Sequence, residues 1–312
     1  MSLYPVIAIV GPTASGKSDL GLFLAESFSG EIVNYDSVQI FRHLDIGTAK
    51  PSLEDRHRVP HHMINIREPT ETFTAGDYQR EARRVLNDIR DRGRLPILVG
   101  GTGLYLRALT EGLFNGPARS TYWRNRLETI AERKGRTHLH RVLRRLDPVA
   151  ASRIAERDKP KIIRALEVCL ETGKSLSQHL GEMPRQPIMG FNVHFVGLNP
   201  SREELYRRID ERVCRMFRAG LVEEVRRLLA TGIPATAKVF DAIGYRHIIA
   251  IMNSSIAPEE TIRIIQRDTR RYAKRQMTWF RKQRNVTWFD GPGDSEEIKN
   301  KVHQFLKPLV NF

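Results

Sequence analysis

The residues whose types and spacing most plainly permit chemistry are Gly11-Pro12-Thr13-Ala14-Ser15-Gly16-Lys17-Ser18, a G-x-x-x-x-G-K-S run. Glycines let a backbone curl until successive N–H groups point inward, and a following helix adds its positive end. Lys17 brings a mobile charge to terminal phosphate oxygens, and the Ser18 hydroxyl can ligate Mg2+. Gly11 through Ser18 therefore read as one cradle for a polyphosphate or diphosphate. A plain Gly-rich turn is the simpler alternative, and context weighs against it. Val6 to Val10 is a short apolar run that predicts a buried strand, bounded ahead by Pro5. Leu20, Leu22, Phe23, Leu24 and Ala25 suit a helix packed back on that strand.

A second set of reactive types sits at the ends of two further strands. Glu31 to Tyr35 predicts a strand parallel to the first, so that Asp36-Ser37-Val38-Gln39 opens on the same edge as the cradle. Asp36 then overhangs the phosphates, where a magnesium-organising or proton-accepting carboxylate belongs; a helix N-cap is the other role open to it. Pro96 to Val99 predicts a third strand, followed by Gly100-Gly101-Thr102-Gly103 and a helix from about Leu104. That turn is either part of the site or simply a tight strand-to-helix connection. His61-His62 lies in a polar loop, Arg42 to Pro69, with no metal-ligand spacing around it, and is read as structural. Thr74 to Arg92 has the three-and-four spacing of an amphipathic helix.

The whole chain of 312 residues carries 51 Lys+Arg against 36 Asp+Glu, a formal charge of +15. That sign points to an anionic partner, nucleic acid first, although an anionic membrane surface also fits. No apolar run approaches the roughly eighteen residues of a spanning helix. The first strand begins almost at Met1, so no signal or transit peptide is expected. Cys169 and Cys214 have no metal spacing and read as small buried residues of a protein in a reducing cytoplasm.

From Asn115 the pattern changes. Asn115-Gly116-Pro117 breaks the chain, and about seventy residues follow with helical periodicity and no convincing strand. Between Pro117 and Arg185 there are 16 Lys+Arg against 8 Asp+Glu, a local net of +8. Such an excess is either a nucleic-acid surface or a set of solvated helix faces. Strand pattern returns at Phe191 to Leu198. Ser201 then caps a helix carrying Arg207, Arg208, Arg212 and Arg215. Arg263 to Arg284 holds nine basic residues and one acid, with Tyr272, Trp279 and Phe280 interleaved. Aromatics among arginines can stack on bases while the charges follow phosphates, or they can simply face the core. Val286 to Asp290 predicts a last strand, with a turn at Gly291 to Asp294 and a tail helix. The expected fold is α/β: a phosphate-loop parallel-sheet core flanked by helices (1–115 and 187–312), with an all-helical insertion domain at 116–186.

Seven stretches together resemble the tRNA dimethylallyltransferase (tRNA isopentenyltransferase) family. They are GPTASGKS at 11–18, DSVQIFRHLDIGTAKP at 36–51, VPHHMI at 59–64, GGTGLY at 100–105, IIRALEV at 162–168, AIGYR at 242–246 and RRYAKRQMTWFRK at 270–282. They run in family order over almost the whole chain. Departures are Phe41, where Tyr is commoner, and Asn34-Tyr35, where smaller residues are usual.

The resemblance implies transfer of a dimethylallyl group from its diphosphate to N6 of the adenosine 3′ to the anticodon in tRNA. The loop then holds a prenyl diphosphate rather than ATP. Thr13 and Lys17 clamp the leaving group, Ser18 helps bind Mg2+, Arg212 neutralises the diphosphate and Asp36 is the base. Gln39 reads the adenine edge. Asp36 to Gln39 (with Ser37 and Val38), Thr102, Arg124, Pro160-Lys161-Ile162-Ile163-Arg164 and Gly244-Tyr245-Arg246 match tRNA-contacting positions. The insertion grips the anticodon arm of a tRNA, and the enzyme is a cytoplasmic monomer without a membrane partner. Three rivals remain. A nucleoside or nucleotide kinase shares the loop but leaves the basic aromatic segment unexplained. A nucleotide-gated RNA-binding protein accounts for the charge but not for Asp36 and Gln39. An enzyme prenylating free adenine nucleotides has no use for the basic insertion.

Overall fold

Val6, Ala8 and Val10 face one core while Ile7 and Ile9 face another, all five fully buried. That alternation follows from the two-residue period of a strand and demands cover on both faces of the sheet. The structure, a computed structural model, describes residues 3–114, 116–182, 185–252 and 257–310. Its strands are β1 (Tyr4–Val10), β2 (Gly30–Asn34), β3 (His61–His62), β4 (Leu95–Val99), β5 (Phe191–Leu198) and β6 (Val286–Phe289). They form one sheet in the order β3-β2-β4-β1-β5-β6, with every neighbouring pair parallel. After β1 the chain crosses to β2, and after β4 it crosses to the other side of β1. The end of β1 is thus the switch point at which open parallel sheets bind ligands.

One face is covered by the Lys17–Ser27 and Glu296–Leu306 helices, which bury Leu20, Leu24, Ile298 and Val302 against Ile7, Ile9 and Ile97. The other is covered by Ala75–Asp91 and Gly103–Thr110, with Tyr78, Leu86 and Leu106 against Val6, Ala8 and Leu98. The Ala75–Asp91 helix starts where Thr74 and Asp77 close a reciprocal capping box. A third cluster joins Ile40 and Leu44 to Leu221, Val225, Tyr245 and Ile265.

Five strand expectations need correction. β4 starts one residue earlier than expected, at Leu95, and β6 ends one residue earlier, at Phe289. β1 starts at Tyr4 and includes Pro5, which was expected to bound it. Pro5 is tolerated because β4 pairs only with Ile7 to Ile9, so β1 is flanked on one side alone at Pro5. β2 begins and ends one residue earlier than expected. His61–His62, read as loop, pairs with Ile32 and Val33 as a two-residue edge strand, and His62 Nε2 lies 2.6 Å from Glu31 Oε2.

The chain folds as two compact units, Met1–Thr110 with Ile188–Phe312, and Glu111–Pro187. Asn115, where the change of character was expected, lies outside the described residues. The second unit contains the helices Thr121–Lys134, Arg136–Leu146, Pro148–Arg153, Lys159–Thr172 and Leu176–Glu182, and no strand among its described residues. Ser120, Asp147 and Asp158 cap three of them. Leu127, Leu139, Leu143, Ile162, Ile163 and Leu166 form its own core. Among the described residues no helix is long and apolar enough to cross a membrane.

Candidate active site

The loop after β1 curls as its glycines allow. Gly16 has φ +83°, and a β-carbon there would stand 2.7 Å from Gly293 N, so no other residue fits without a shift. Ala14 also takes a left-handed φ of +64°. The Lys17–Ser27 helix starts immediately after, aiming its first N–H groups at the loop. Lys17 is buried and its Nζ donates to the Pro12 carbonyl at 2.6 Å. Burial, and then the Arg212 cation, pull its pKa down to about 7 against the opposing pull of Asp36. A dry ammonium beside a second cation is a place where an arriving anion is strongly favoured.

Asp36 caps the turn that follows β2, and only one of its two carboxylate oxygens takes part in that cap. Its Oδ1 accepts from the backbone N–H of Val38 at 2.9 Å and of Gln39 at 3.3 Å, which is the turn cap. Its Oδ2 faces Gly101, 3.2 Å from where a β-carbon would be. Asn34 supports this placement: its Oδ1 accepts from Asp36 N at 3.1 Å, and its Nδ2 donates to Met63 O at 3.0 Å. Gly100 must lack a side chain because a β-carbon would lie 2.5 Å from the Tyr35 carbonyl carbon. Thr102 Oγ1 accepts from Ser37 N at 2.9 Å and lies 3.1 Å from Ser37 Oγ, which ties the ends of β2 and β4 together.

Lys17, Asn34, Asp36, Gly100 and Gly101 line one cavity of about 280 Å³, together with Thr13, Ser15, Gln39, Arg208, Arg212, Tyr272 and Gln276, whereas Ser37 and Thr102 stand outside its lining. Arg212 comes from the Arg202–Arg218 helix, and its Nη2 donates to Thr48 O at 3.4 Å. Burial lowers its pKa, with Asp36 the main opposing influence. Loop and helix are locked by residues that no sequence motif singled out. Arg208 Nε donates to Ala14 O at 3.0 Å, and its Nη2 pairs with Asp294 Oδ2 at 2.6 Å. Gly293 N donates to Ser15 O at 2.9 Å. Gln276 Oε1 accepts from Thr13 N at 2.7 Å, while its Nε2 donates to Gly101 O at 2.9 Å. The position of Arg208, four residues before Arg212 on one helix face, was the available signal for the first of these.

A family model described as IPP transferase matches residues 39–283. The tRNA dimethylallyltransferase of Solibacter usitatus is 49% identical over 306 residues, covering 97% of this chain and 99% of that protein. The chain belongs to this family. The tRNA dimethylallyltransferase of Koribacter versatilis is 48% identical, with 97% and 98% covered. Among solved structures, the full-length tRNA isopentenylpyrophosphate transferase of Bacillus halodurans superposes with a TM-score of 0.72 at 38% identity. It covers 99% of this chain and 97% of its own. A eukaryotic dimethylallyltransferase acting on tRNA gives a TM-score of 0.80 at 28% identity, covering 97% and 78%.

The family resemblance also singled out residues for tRNA, and the structure sorts them. Gln39 lines the cavity, but its Nε2 donates to Thr48 O (3.1 Å) and Ala49 O (3.3 Å), so the donor half of an amide pair is engaged. Tyr245 is buried; its hydroxyl donates to Glu224 Oε1 at 2.6 Å, and its ring occupies the space a Gly47 side chain would need. Glu224 also accepts from the N–H of Asp45, Ile46 and Gly47, which fixes the loop presenting Thr48 and Ala49. Gly244, with φ +96°, opens the Tyr245–Met252 helix, and Arg246 pairs with Asp268 at 3.1 Å. In the second unit, Ile162 and Ile163 belong to the core, and Pro160 and Lys161 are exposed at a helix start. Arg124 and Arg164 both pair with the buried Glu167, at 3.0 and 3.1 Å. The interleaved aromatics divide three ways: Phe280 is core, Tyr272 lines the cavity, and Trp279 is exposed with the Arg107 guanidinium 5.1 Å from its ring.

The donor set suits magnesium held mainly by a substrate. Among the described residues no group of three or more His, Cys, Asp or Glu could hold a metal. Ser18 is exposed at the helix start, and Ser15 Oγ is buried beneath the loop without a hydrogen-bond partner. Mg2+ normally keeps several waters and binds through substrate phosphates with few protein ligands, so one hydroxyl is an ordinary protein share.

Proposed function

We propose that the chain transfers the dimethylallyl group of dimethylallyl diphosphate to N6 of the adenosine 3′ to the anticodon in tRNA. The observation that supports it most is the placing of Asp36 Oδ2, Lys17 and Arg212 around one cavity. The adenine amine is a poor nucleophile because its lone pair is delocalised into the ring. As N6 attacks the allylic carbon, the carbon–oxygen bond to the diphosphate breaks and the amine proton passes to Asp36 Oδ2. Charge developing on the departing diphosphate is met by Lys17, Arg212, the Thr13 hydroxyl and the loop N–H groups, already oriented before the reaction. Ser18 would help hold a magnesium ion carried by the diphosphate, which would add to the neutralisation of that charge.

Asp36 keeps its carboxylate aimed because Oδ1 is held by two backbone donors, leaving Oδ2 for the proton. The Glu167-paired arginines take no part in this chemistry. The test offers tRNA and AMP separately, each with dimethylallyl diphosphate and then with ATP, and weighs the digested nucleosides. A dimethylallyl mass on tRNA adenosine is expected. A phosphoryl group on AMP, or transfer to AMP and not to tRNA, would overturn the reading.

A further inference from the structure

We infer that Gln276 is a positioning residue that sets the spacing between the loop holding the leaving diphosphate and the loop beside the accepting carboxylate; this rests on the roles proposed above for Thr13 and Asp36. Gln276 lies on the Pro258–Phe280 helix and is 5% exposed. Both ends of its amide are engaged, and by opposite partners. Oε1 accepts from the Thr13 N–H at 2.7 Å, and Nε2 donates to the Gly101 carbonyl at 2.9 Å. Turning the amide over would set donor against donor and acceptor against acceptor, so only one orientation satisfies the site.

The two partners stand on the two halves of the chemistry. Thr13 belongs to the diphosphate cradle, and holding its N–H fixes the residue whose hydroxyl faces the donor. Gly101 lies against the base: a β-carbon there would be 2.9 Å from Gln276 Nε2 and 3.2 Å from Asp36 Oδ2. Tyr272, one helical turn earlier on the same face, donates to the same Gly101 carbonyl at 3.4 Å. One rigid helix thus measures the gap between donor loop and acceptor loop. Displacing reacting groups by about 1 Å can cost about 10²-fold in rate, so a spacer of this kind acts on turnover more than on binding.

Glutamate and methionine are the informative replacements. Gln276→Met keeps most of the volume and removes both bonds. Gln276→Glu keeps the shape; ionised, it still accepts from Thr13 but turns a second acceptor toward the Gly101 carbonyl. Protonated, its carboxyl again offers one acceptor and one donor. Of the groups lining the same cavity, Asp19, Asp36, Glu211 and Asp294 favour the neutral form, while Lys17, Arg207, Arg208, Arg212, Arg215 and a protonated His61 favour the ionised one, and Tyr272 adjoins from its own helix.

Single-turnover rates at saturating tRNA and donor should fall at least about tenfold in both variants at about pH 8.5, with dissociation constants for each substrate within about threefold of wild type. The Gln276→Glu deficit, taken as a ratio to wild type at each pH, should shrink toward about pH 5.5, while that of Gln276→Met should not. A Gln276→Met rate within about threefold of wild type per folded molecule overturns the inference, as does a Gln276→Glu deficit that stays flat with pH. Loss confined to melting temperature and folded fraction also overturns it, because that is what a purely structural cross-link gives. A wild-type enzyme that modifies no tRNA sinks the functional reading and this inference together; an active wild type with unaffected variants sinks the inference alone.

Discussion

Two cations of the cavity, Lys17 and Arg212, and two of the helical unit, Arg124 and Arg164, are held in opposite ways. Lys17 and Arg212 are drawn away from water, and their hydrogen-bond partners are the backbone carbonyls of Pro12 and Thr48. Arg124 and Arg164 are matched to one carboxylate, Glu167, that is fully buried. A carbonyl orients a cation without neutralising it, so the charge remains for an incoming anion. A carboxylate uses the charge up in folding. Residue type alone does not separate a binding cation from a structural one; the partner does.

The strongest way to break this comparison is at the carboxylate of the active unit. Asp36→Asn keeps Oδ1 as the acceptor for Val38 and Gln39, so the turn survives and only the basic oxygen is lost. Single-turnover rate should fall by roughly 10²–10⁴, the scale of general-base removal, with little change in binding. A rate within a few-fold of wild type would leave Asp36 as a cap and nothing more. Weakened donor binding that recovers with added Mg2+ would assign it to the metal instead.

In the helical unit, Arg124→Ala with Arg164→Ala strips both cations from a buried carboxylate. Breaking such a pair costs about 3 kcal/mol or more. Amide exchange in Thr121–Lys134 and Lys159–Thr172 should accelerate, and tRNA affinity should fall as a consequence of lost structure. Unchanged exchange with a reduced salt dependence of tRNA binding would instead make these two arginines contact residues.

Local pattern made much of the core legible. The phosphate loop between a buried strand and a helix, Asp36 at a strand end, and the all-parallel layering are all written in runs of five to ten residues. What escaped depends on groups distant in sequence. Pro5 looks like a strand boundary until the one-sided register of β1 is known. His61-His62 is too short to show a period, and becomes a strand only by pairing with β2. Gln276 sits in a segment dominated by arginines, and its partners are 263 and 175 residues away. The family resemblance puts Tyr245 among the tRNA contacts, yet it is buried and its hydroxyl serves Glu224 and through it the loop below Arg212. Nothing short of the fold distinguishes Arg124 from an exposed arginine.

A smaller effect sharpens the role of Lys17. With its pKa near 7, the free protein loses this charge as pH rises, and donor must then bind with uptake of a proton. Affinity for dimethylallyl diphosphate, measured without tRNA, should weaken close to tenfold per unit above about pH 7.5. Lys17→Arg, charged at every accessible pH, should abolish that slope whatever it does to absolute affinity. A flat wild-type profile would show that Lys17 stays protonated and that its neighbours do not depress it.

The smallest expected effect tests the exposed cations of the helical unit. On the Arg136–Leu146 helix, Leu139 and Leu143 face the core, and Arg141, Arg144 and Arg145 are exposed on the opposite side. If this unit holds tRNA through phosphates, each of the three that makes a contact contributes about 0.7–0.9 to the slope of log affinity against log salt. Changing all three to Gln should lower that slope by about two while stability moves by no more than about 0.5 kcal/mol, since no buried partner is abandoned. The contrast with Arg124 and Arg164 is then direct: one set changes the salt slope and leaves amide exchange alone, and the other does the reverse. An unchanged slope in the triple variant would mean that this stripe only solvates its helix, and that tRNA is held elsewhere.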